Sequence, residues 1–343
     1  MVGTEADLLG FDSDGNPTTR AMAVPGGVAT LDENGVLLSA QRPCPAVIGR
    51  RSNPNLLENW YFAAPVNQRG KEIYTEKGVM IDRWDSNSAN HAVTIGGQGV
   101  TFSSTGETAC WFRQKLAQSA QTFLGRPCTL SLLDTEGTLY TATLTFSTEP
   151  SIAETKLFPI EFGELCWQRF ESNSANFVFY LQENTSKTLL AAKLEFGPHQ
   201  TLAYQNTTGT WVLNDAPPDR NLEQLKCMQY QLILPNSLAG YACVGIGTPY
   251  NSTSALIFIP TPVPLRKKPA VSFQSDVWVL SCFGKWGTLG SDTLRVTNIR
   301  MGYYSKNGIT VYCDTAGALD PSRTYLFANG SADAQAPLIL DAN

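Results

Sequence analysis

The residues of this chain best suited to chemistry are large aromatics set among amides, carboxylates and guanidinium groups. Trp60-Tyr61 precedes Asn67-Gln68-Arg69, and Trp84 is flanked by Asp82, Arg83 and Asp85. These residue types hold a sugar: a ring takes the C–H face, while Asp, Asn, Gln and Arg read the hydroxyls. Trp286 lies in Gly284-Lys285-Trp286-Gly287, a glycine-flanked turn that favours an exposed indole. The competing role for every tryptophan, including Trp111, Trp167, Trp211 and Trp278, is to cap an apolar core. In a regular strand Asp82 and Trp84 share one face and Arg83 takes the other. A buried Asp82 then needs a partner, and Arg69 is the obvious candidate. The candidate ligand contacts are therefore Trp60, Tyr61, Asp82, Arg83, Trp84 and Trp286.

Catalysis finds little support. No GxSxG, HExxH, P-loop or GxGxxG phrase is present, and Gly96-Gly97-Gln98-Gly99 reads as a turn between strands. His91 and His199 are the only histidines. A lone histidine in a strand or loop is more often structural than a general base. With 30 acidic residues, carboxylate pairs for glycoside hydrolysis can always be chosen, so none stands out. The eight cysteines form no CxxC and have two histidines for company, which supports no zinc site. Their even count permits disulfides, but their spread through apolar runs reads as buried free thiols. Asp12, Asp14 and Asn16 echo a calcium loop, yet the spacing breaks at Gly15 and the bidentate Glu is missing, so a turn is expected. The net charge of −5 leaves no basic excess to neutralise phosphates, which argues against nucleic acid. The expectation is a non-enzyme with no catalytic residues.

The elements that must position these groups read as β. Only 16% of the 343 residues are charged, 10% are aromatic, and turn formers are abundant. The first segment, residues 1–53, carries one short phrase twice. Phe11-Asp12-Ser13-Asp14-Gly15-Asn16 returns as Leu31-Asp32-Glu33-Asn34-Gly35-Val36, each with a hairpin-forming Asp-Gly or Asn-Gly. Two such units bury no core of their own, so they suit an adaptor pairing with copies of itself or with a larger assembly. Residues 54–216 alternate in short strands: 79–84, 91–95, 139–146 and 177–181, with Asp134-Thr135-Glu136-Gly137 as a hairpin turn. Residues 217–235 form a connector with a helix after Pro217-Pro218-Asp219, whose apolar stripe is Leu222, Leu225 and Met228 or Gln229. Residues 236–343 return to strands at 255–259, 277–280, 294–299 and 309–312. A loop spans 260–269, and Lys306-Asn307-Gly308 forms a turn. The fold class expected is all-β: two antiparallel β-sandwich, jelly-roll-like domains joined by a short helix. Met1 is followed by neither a basic n-region nor an apolar h-region, so no secretory signal is expected. No apolar stretch approaches the roughly twenty residues that cross a bilayer. The sequence predicts a soluble protein made in the cytoplasm, without membrane insertion.

Several phrases carry a family resemblance. Asn55-Leu56-Leu57-Glu58-Asn59-Trp60-Tyr61-Phe62, Pro65-Val66-Asn67-Gln68-Arg69-Gly70 and Ile81-Asp82-Arg83-Trp84 resemble the opening of sandwich domains in phage and prophage tail-fibre-like proteins. Ala191-Ala192-Lys193-Leu194-Glu195-Phe196-Gly197 and Trp211-Val212-Leu213-Asn214 resemble the end of that domain, which is similar to jelly-roll carbohydrate-binding modules. Leu225-Lys226-Cys227-Met228-Gln229-Tyr230 resembles the connector, and Pro262 to Val271 a phrase of C-terminal fibre domains. Ala29 to Val36 resembles N-terminal virion-attachment segments. The resemblance implies a virion appendage docked through Phe11, Asp12, Leu31 and Asp32 to portal, tail or capsid proteins. It further implies a homotrimer, adhesion to bacterial-surface or mucus glycans, and no cofactor beyond a structural calcium ion. Two alternatives stand beside it: a capsid or tail decoration or head-fibre protein that binds no sugar, and, more distantly, an envelope-degrading glycoside hydrolase.

Overall fold

The computed structural model describes residues 7–11, 17–21, 52–86, 88–145, 155–160, 163–170, 174–234, 242–274, 277–282, 293–330 and 337–342. Two compact units result, residues 1–51 and 52–343. In the first, β1 (Asp7–Phe11) and β2 (Pro17–Ala21) form an antiparallel hairpin with Phe11 opposite Pro17. The Asp14-Gly15 turn expected between them and the second phrase, Leu31 to Val36, lie outside the described residues.

In the second unit the chain first forms β3 (Ile73–Tyr74), β4 (Gly78–Val79), β5 (Asp85–Ser86), β6 (His91–Ile95), β7 (Val100–Ser104), β8 (Cys110–Ser119), β9 (Pro127–Asp134) and β10 (Leu139–Thr145). There follow β11 (Thr155–Ile160), β12 (Gly163–Phe170), β13 (Ser174–Leu181), β14 (Ser186–Phe196) and a small hairpin of β15 (Ala203–Gln205) with β16 (Trp211–Leu213). Two six-stranded sheets result, ordered β10-β9-β14-β7-β6-β3 and β11-β12-β13-β8-β5-β4. Period-two alternation builds their shared core: Cys110, Phe112 and Leu116 of β8 are buried, while Trp111, Arg113 and Lys115 face outwards. Phe102 of β7 meets Phe112 of β8 and Phe179 of β13 at ring separations of 5.0 and 5.1 Å, so rings from both sheets interlock. β10 covers 139–145 of the strand expected at 139–146, whose last residue lies outside the described residues, and the strands expected at 91–95 and 177–181 are present. So is the Asp134 turn, where Gly137 takes φ 82° and the Asp134 carboxylate accepts the amides of Glu136 and Thr138.

The strand expected at 79–84 does not form. β4 ends at Val79, and a tight turn follows in which the Trp84 amide donates to Ile81 O and the Met80 amide to Trp84 O. Arg83 takes φ 73° there. The turn drives Trp84, fully buried, into edge-on contact with Phe62, Phe177 and Phe179.

The helix is α1 (Arg220–Met228), capped by the Asp219 carboxylate, which accepts the Asn221 and Leu222 amides. Of the expected stripe only Met228 is buried. Glu223, Cys227 and Met228 turn inwards, leaving Leu222 and Leu225 58% and 41% exposed. A polar seam sets this rotation: Glu223 accepts the buried Asn59 amide, and the ring of Tyr230, just past the helix, stacks under Arg83.

The remaining strands are β17 (Gln231–Leu234), β18 (Cys243–Pro249), β19 (Ser254–Pro260), β20 (Ala270–Ser272), β21 (Trp278–Cys282), β22 (Thr293–Ser305), β23 (Gly308–Thr315), β24 (Tyr325–Asn329) and β25 (Leu338–Asp341). β17, β25 and β20 form a three-stranded sheet. Where a second sandwich was expected, β18-β19-β23-β22-β21-β24 close into a barrel. Closure is possible because β22, thirteen residues long, carries two register shifts that bend it, and because β24 pairs with both β18 and β21, leaving no free edge. The described residues are thus all-β apart from α1 and a 3-10 turn at Ala120–Phe123.

Candidate functional site

Most of the sequence-predicted ligand contacts are inside the protein. Trp60, Asp82, Arg83 and Trp84 are all buried, so none offers a face to a sugar. Trp60 and Trp84 serve the core, and the Trp84 indole N–H donates to Asn59 O. Asp82 takes Gln68, not Arg69, as its direct partner: the Gln68 backbone amide donates to Oδ2 at 2.7 Å and the side-chain amide to Oδ1. Burial pushes the Asp82 carboxyl above its ordinary range against these bonds, and burial pulls the Arg69 guanidinium below its own. Arg83 donates to Glu58 and to Lys115 O, with its guanidinium 3.4 Å from the Tyr230 ring centroid. These groups are a seam between the two-sheet layer and the helix. Tyr61 is half-buried and bridges to Ala191. Trp286, Asp12, Leu31 and Asp32 lie outside the described residues, and only the backbone of Phe11 is described.

The structure instead assembles exposed aromatics on the barrel's outer face. β23 carries Thr310, Tyr312 and Asp314 outwards, opposite Phe258, Leu256 and Ser254 of β19. Across β22, Arg300 stands opposite Tyr312 and Asn298 opposite Asp314. Between Met301 and Tyr304 the register shifts, and the Tyr303 amide donates to Thr310 Oγ1 at 2.8 Å. That bulge re-aims Tyr303 to the surface, 70% exposed. Gly302 is required there, since a Cβ would come within 2.9 Å of Thr310 Oγ1 and 3.0 Å of Thr310 O. Tyr250, 64% exposed, meets Tyr312 edge-on at 5.1 Å.

A polar network frames these rings. Arg300 lies 5.3 Å from the Tyr312 ring centroid and is held by Asp314 through Nη2–Oδ1 at 3.0 Å and Nε–Oδ2 at 3.3 Å. Asp314 also accepts Ser254 Oγ at 2.7 Å and Asn298 Nδ2 at 3.0 Å. The Arg300 hydrogen bonds hold the Asp314 carboxyl below the usual carboxylate range. Desolvation raises the Tyr312 phenol, with the neighbouring Tyr303 and Tyr250 phenols adding to the effect. The result is a shallow surface with two exposed phenol rings, a half-buried third and fixed donors and acceptors beside them. That surface can stack a sugar ring and hydrogen-bond its hydroxyls. Sequence reasoning missed Tyr250, Arg300, Tyr303 and Tyr312. The signal was Gly302-Tyr303-Tyr304 inside a strand run, where glycine marks a bulge.

Among the described residues no group of three His, Cys, Asp or Glu side chains converges to hold a metal ion, so no residue set fits the implied calcium. Asp12, Asp14 and Asn16 lie outside them. His91 is buried in β6 with Nδ1 2.7 Å from Ser88 O and its ring edge-on to Phe112, and His199 is exposed in a loop. Cys110, Cys128, Cys227, Cys243, Cys282 and Cys313 are free thiols, all buried except Cys243. No helix among the described residues is long and apolar enough to cross a membrane. The chain matches no protein-family model, no curated protein and no solved structure.

Proposed function

We propose that this chain is a bacteriophage virion appendage whose first unit attaches it to the particle and whose barrel holds host-surface or mucus glycans. The observation that carries the reading is the tyrosine platform of Tyr250, Tyr303 and Tyr312, open to solvent and framed by Arg300 and Asp314. A single such platform binds a monosaccharide only at roughly millimolar strength, about −4 kcal/mol. Several copies on one particle, as in a homotrimer, turn that into firm adhesion. The sequence resemblance to tail-fibre-like proteins supports the virion setting.

The test is retention of the full chain on immobilised bacterial polysaccharides and mucin, beside Tyr303→Ala and Tyr250→Ala. Retention that falls severalfold in either variant is expected. Failure of the wild-type chain to bind any of them, or variants that bind as well as wild type, would remove the platform as the site. A second reading, a decoration or head-fibre protein that binds no sugar, is favoured by the burial of Trp60, Trp84 and Trp278 in the cores. Under it the tyrosine face meets a virion neighbour, and glycan retention is absent.

A further inference from the structure

A cleft of about 350 Å³ lies between the edge strands β3 and β4 and the three-stranded sheet. It stands at the low end of ligand pockets, with room for one pyranose ring. Arg69, Lys71 and Lys77 bring three cations to it, against the carboxylates of Glu76 and Asp341. Arg69 is anchored through Nη1, which donates to Val79 O at 2.8 Å and Met80 O at 3.3 Å. Its Nε and Nη2 donate to no described residue, and the Asp82 carboxylate takes its hydrogen bonds from Gln68 instead. A second group in the lining is also unsatisfied: Gln231 is 4% exposed, and its Oε1 has no hydrogen-bond partner. That oxygen is enclosed, so the groups open to a ligand are the Arg69 guanidinium and the charged side chains of the rim.

We infer that this cleft binds the carboxylate-bearing ring of an acidic saccharide, a hexuronic acid unit. The planar guanidinium edge of Arg69 matches a carboxylate bidentately. Lys71 and Lys77, both exposed, raise the local concentration of anions. Glu76 and Asp341 would repel a bare anion but accept hydroxyls, so the mixed lining favours one carboxylate on a polyhydroxylated ring. The carboxylate half of the assignment rests on the cleft alone, and the saccharide half rests on the glycan-adhesion reading.

The experiment is saturation-transfer NMR and titration of the full chain with methyl β-glucuronide, methyl β-glucoside and inorganic phosphate. Glucuronide should bind at least about tenfold more tightly than glucoside, the effect of a charge-assisted pair. Arg69→Lys should remove the preference. Lys71→Ala/Lys77→Ala, confined to exposed side chains, should weaken binding severalfold and flatten its salt dependence. Equal binding of glucoside, displacement by phosphate at equal concentration, or no change in either variant would overturn the site. Loss of the glucuronide signal in Tyr303→Ala, with Arg69→Lys still binding, would move the acid to the platform and overturn it too. Glucuronide binding by a chain that retains no neutral polysaccharide would keep the cleft and remove the platform.

Discussion

Arg83→Ala should destabilise residues 52–343 by about 3 kcal/mol, the lower end of the range for stripping one partner from a buried ion pair. Arg83 is 5% exposed, and its Nε donates to a Glu58 carboxylate whose side chain keeps 19% exposure. That partial access lets water take up some of the uncompensated charge and sets the estimate low in the range. The Tyr230 hydroxyl, 3.2 Å from Glu58 Oε1, supplies the remaining donor. The variant also loses the stack on Tyr230 and the bond to Lys115 O. The backbone adds a separate term. At φ 73° an L-residue carries a penalty of about 1 kcal/mol that glycine does not. Alanine keeps that penalty, so Arg83→Gly should come out about 1 kcal/mol more stable than Arg83→Ala. Urea unfolding followed by tryptophan fluorescence reads both, since Trp84 is the next residue and fully buried. In thermal scans each kcal/mol corresponds to about 2–4 °C for a unit of this size. A loss under about 1 kcal/mol in both variants would refute the buried-pair argument, and equal losses would refute the backbone term.

Burial pushes the Tyr74 phenol up to about 12, so native Tyr74 holds its proton where unfolded tyrosine, near 10, has lost it. Stability should therefore fall as pH rises from about 10 towards 12, and Tyr74→Phe should remove that component of the decline. Thiol titration of the native chain at pH 8 should lose one rapidly reacting equivalent in Cys243→Ser and none in Cys128→Ser. Cys243 is exposed, whereas burial raises the Cys128 thiol to about 11. Trp84→Ala should cost about 3–5 kcal/mol by emptying a fully buried site among Phe62, Phe102, Phe177 and Phe179; a loss below about 1.5 would mean the core refills.

What the chain alone determined was local. Period-two runs placed β6, β10, β13 and β23, and a continuous apolar run, read as buried on both faces, placed β19, although Phe258 is exposed. Asp134 to Gly137 marked a hairpin because a positive φ at glycine is decided within four residues, and Lys306-Asn307-Gly308 marked another, whose turn is Lys306-Asn307 with Gly308 already in β23 opposite Ser305. Asp219 marked the start of α1 for the same reason, its carboxylate satisfying amides two and three residues on. The tertiary structure decided which faces were buried and how the sheets closed. Leu222 and Leu225 read as the core stripe of α1, but Asn59, Glu58 and Arg83, more than a hundred residues earlier, made Glu223 and Tyr230 the inward face instead. Val79 to Trp84 alternates like a strand, yet the demand to seat Trp84 among rings from both sheets bent it into a turn and took Asp82 and Arg83 out of solvent. The tyrosine platform gathers Tyr250, Arg300, Tyr303 and Tyr312 through cross-strand register and one bulge, and the cleft gathers Arg69, Gln231 and Asp341 from opposite ends of the unit. Such contacts depend on pairings between distant segments, whose free energy comes from burial over the whole unit. A local pattern of residue types names the candidates for a surface site without choosing among them.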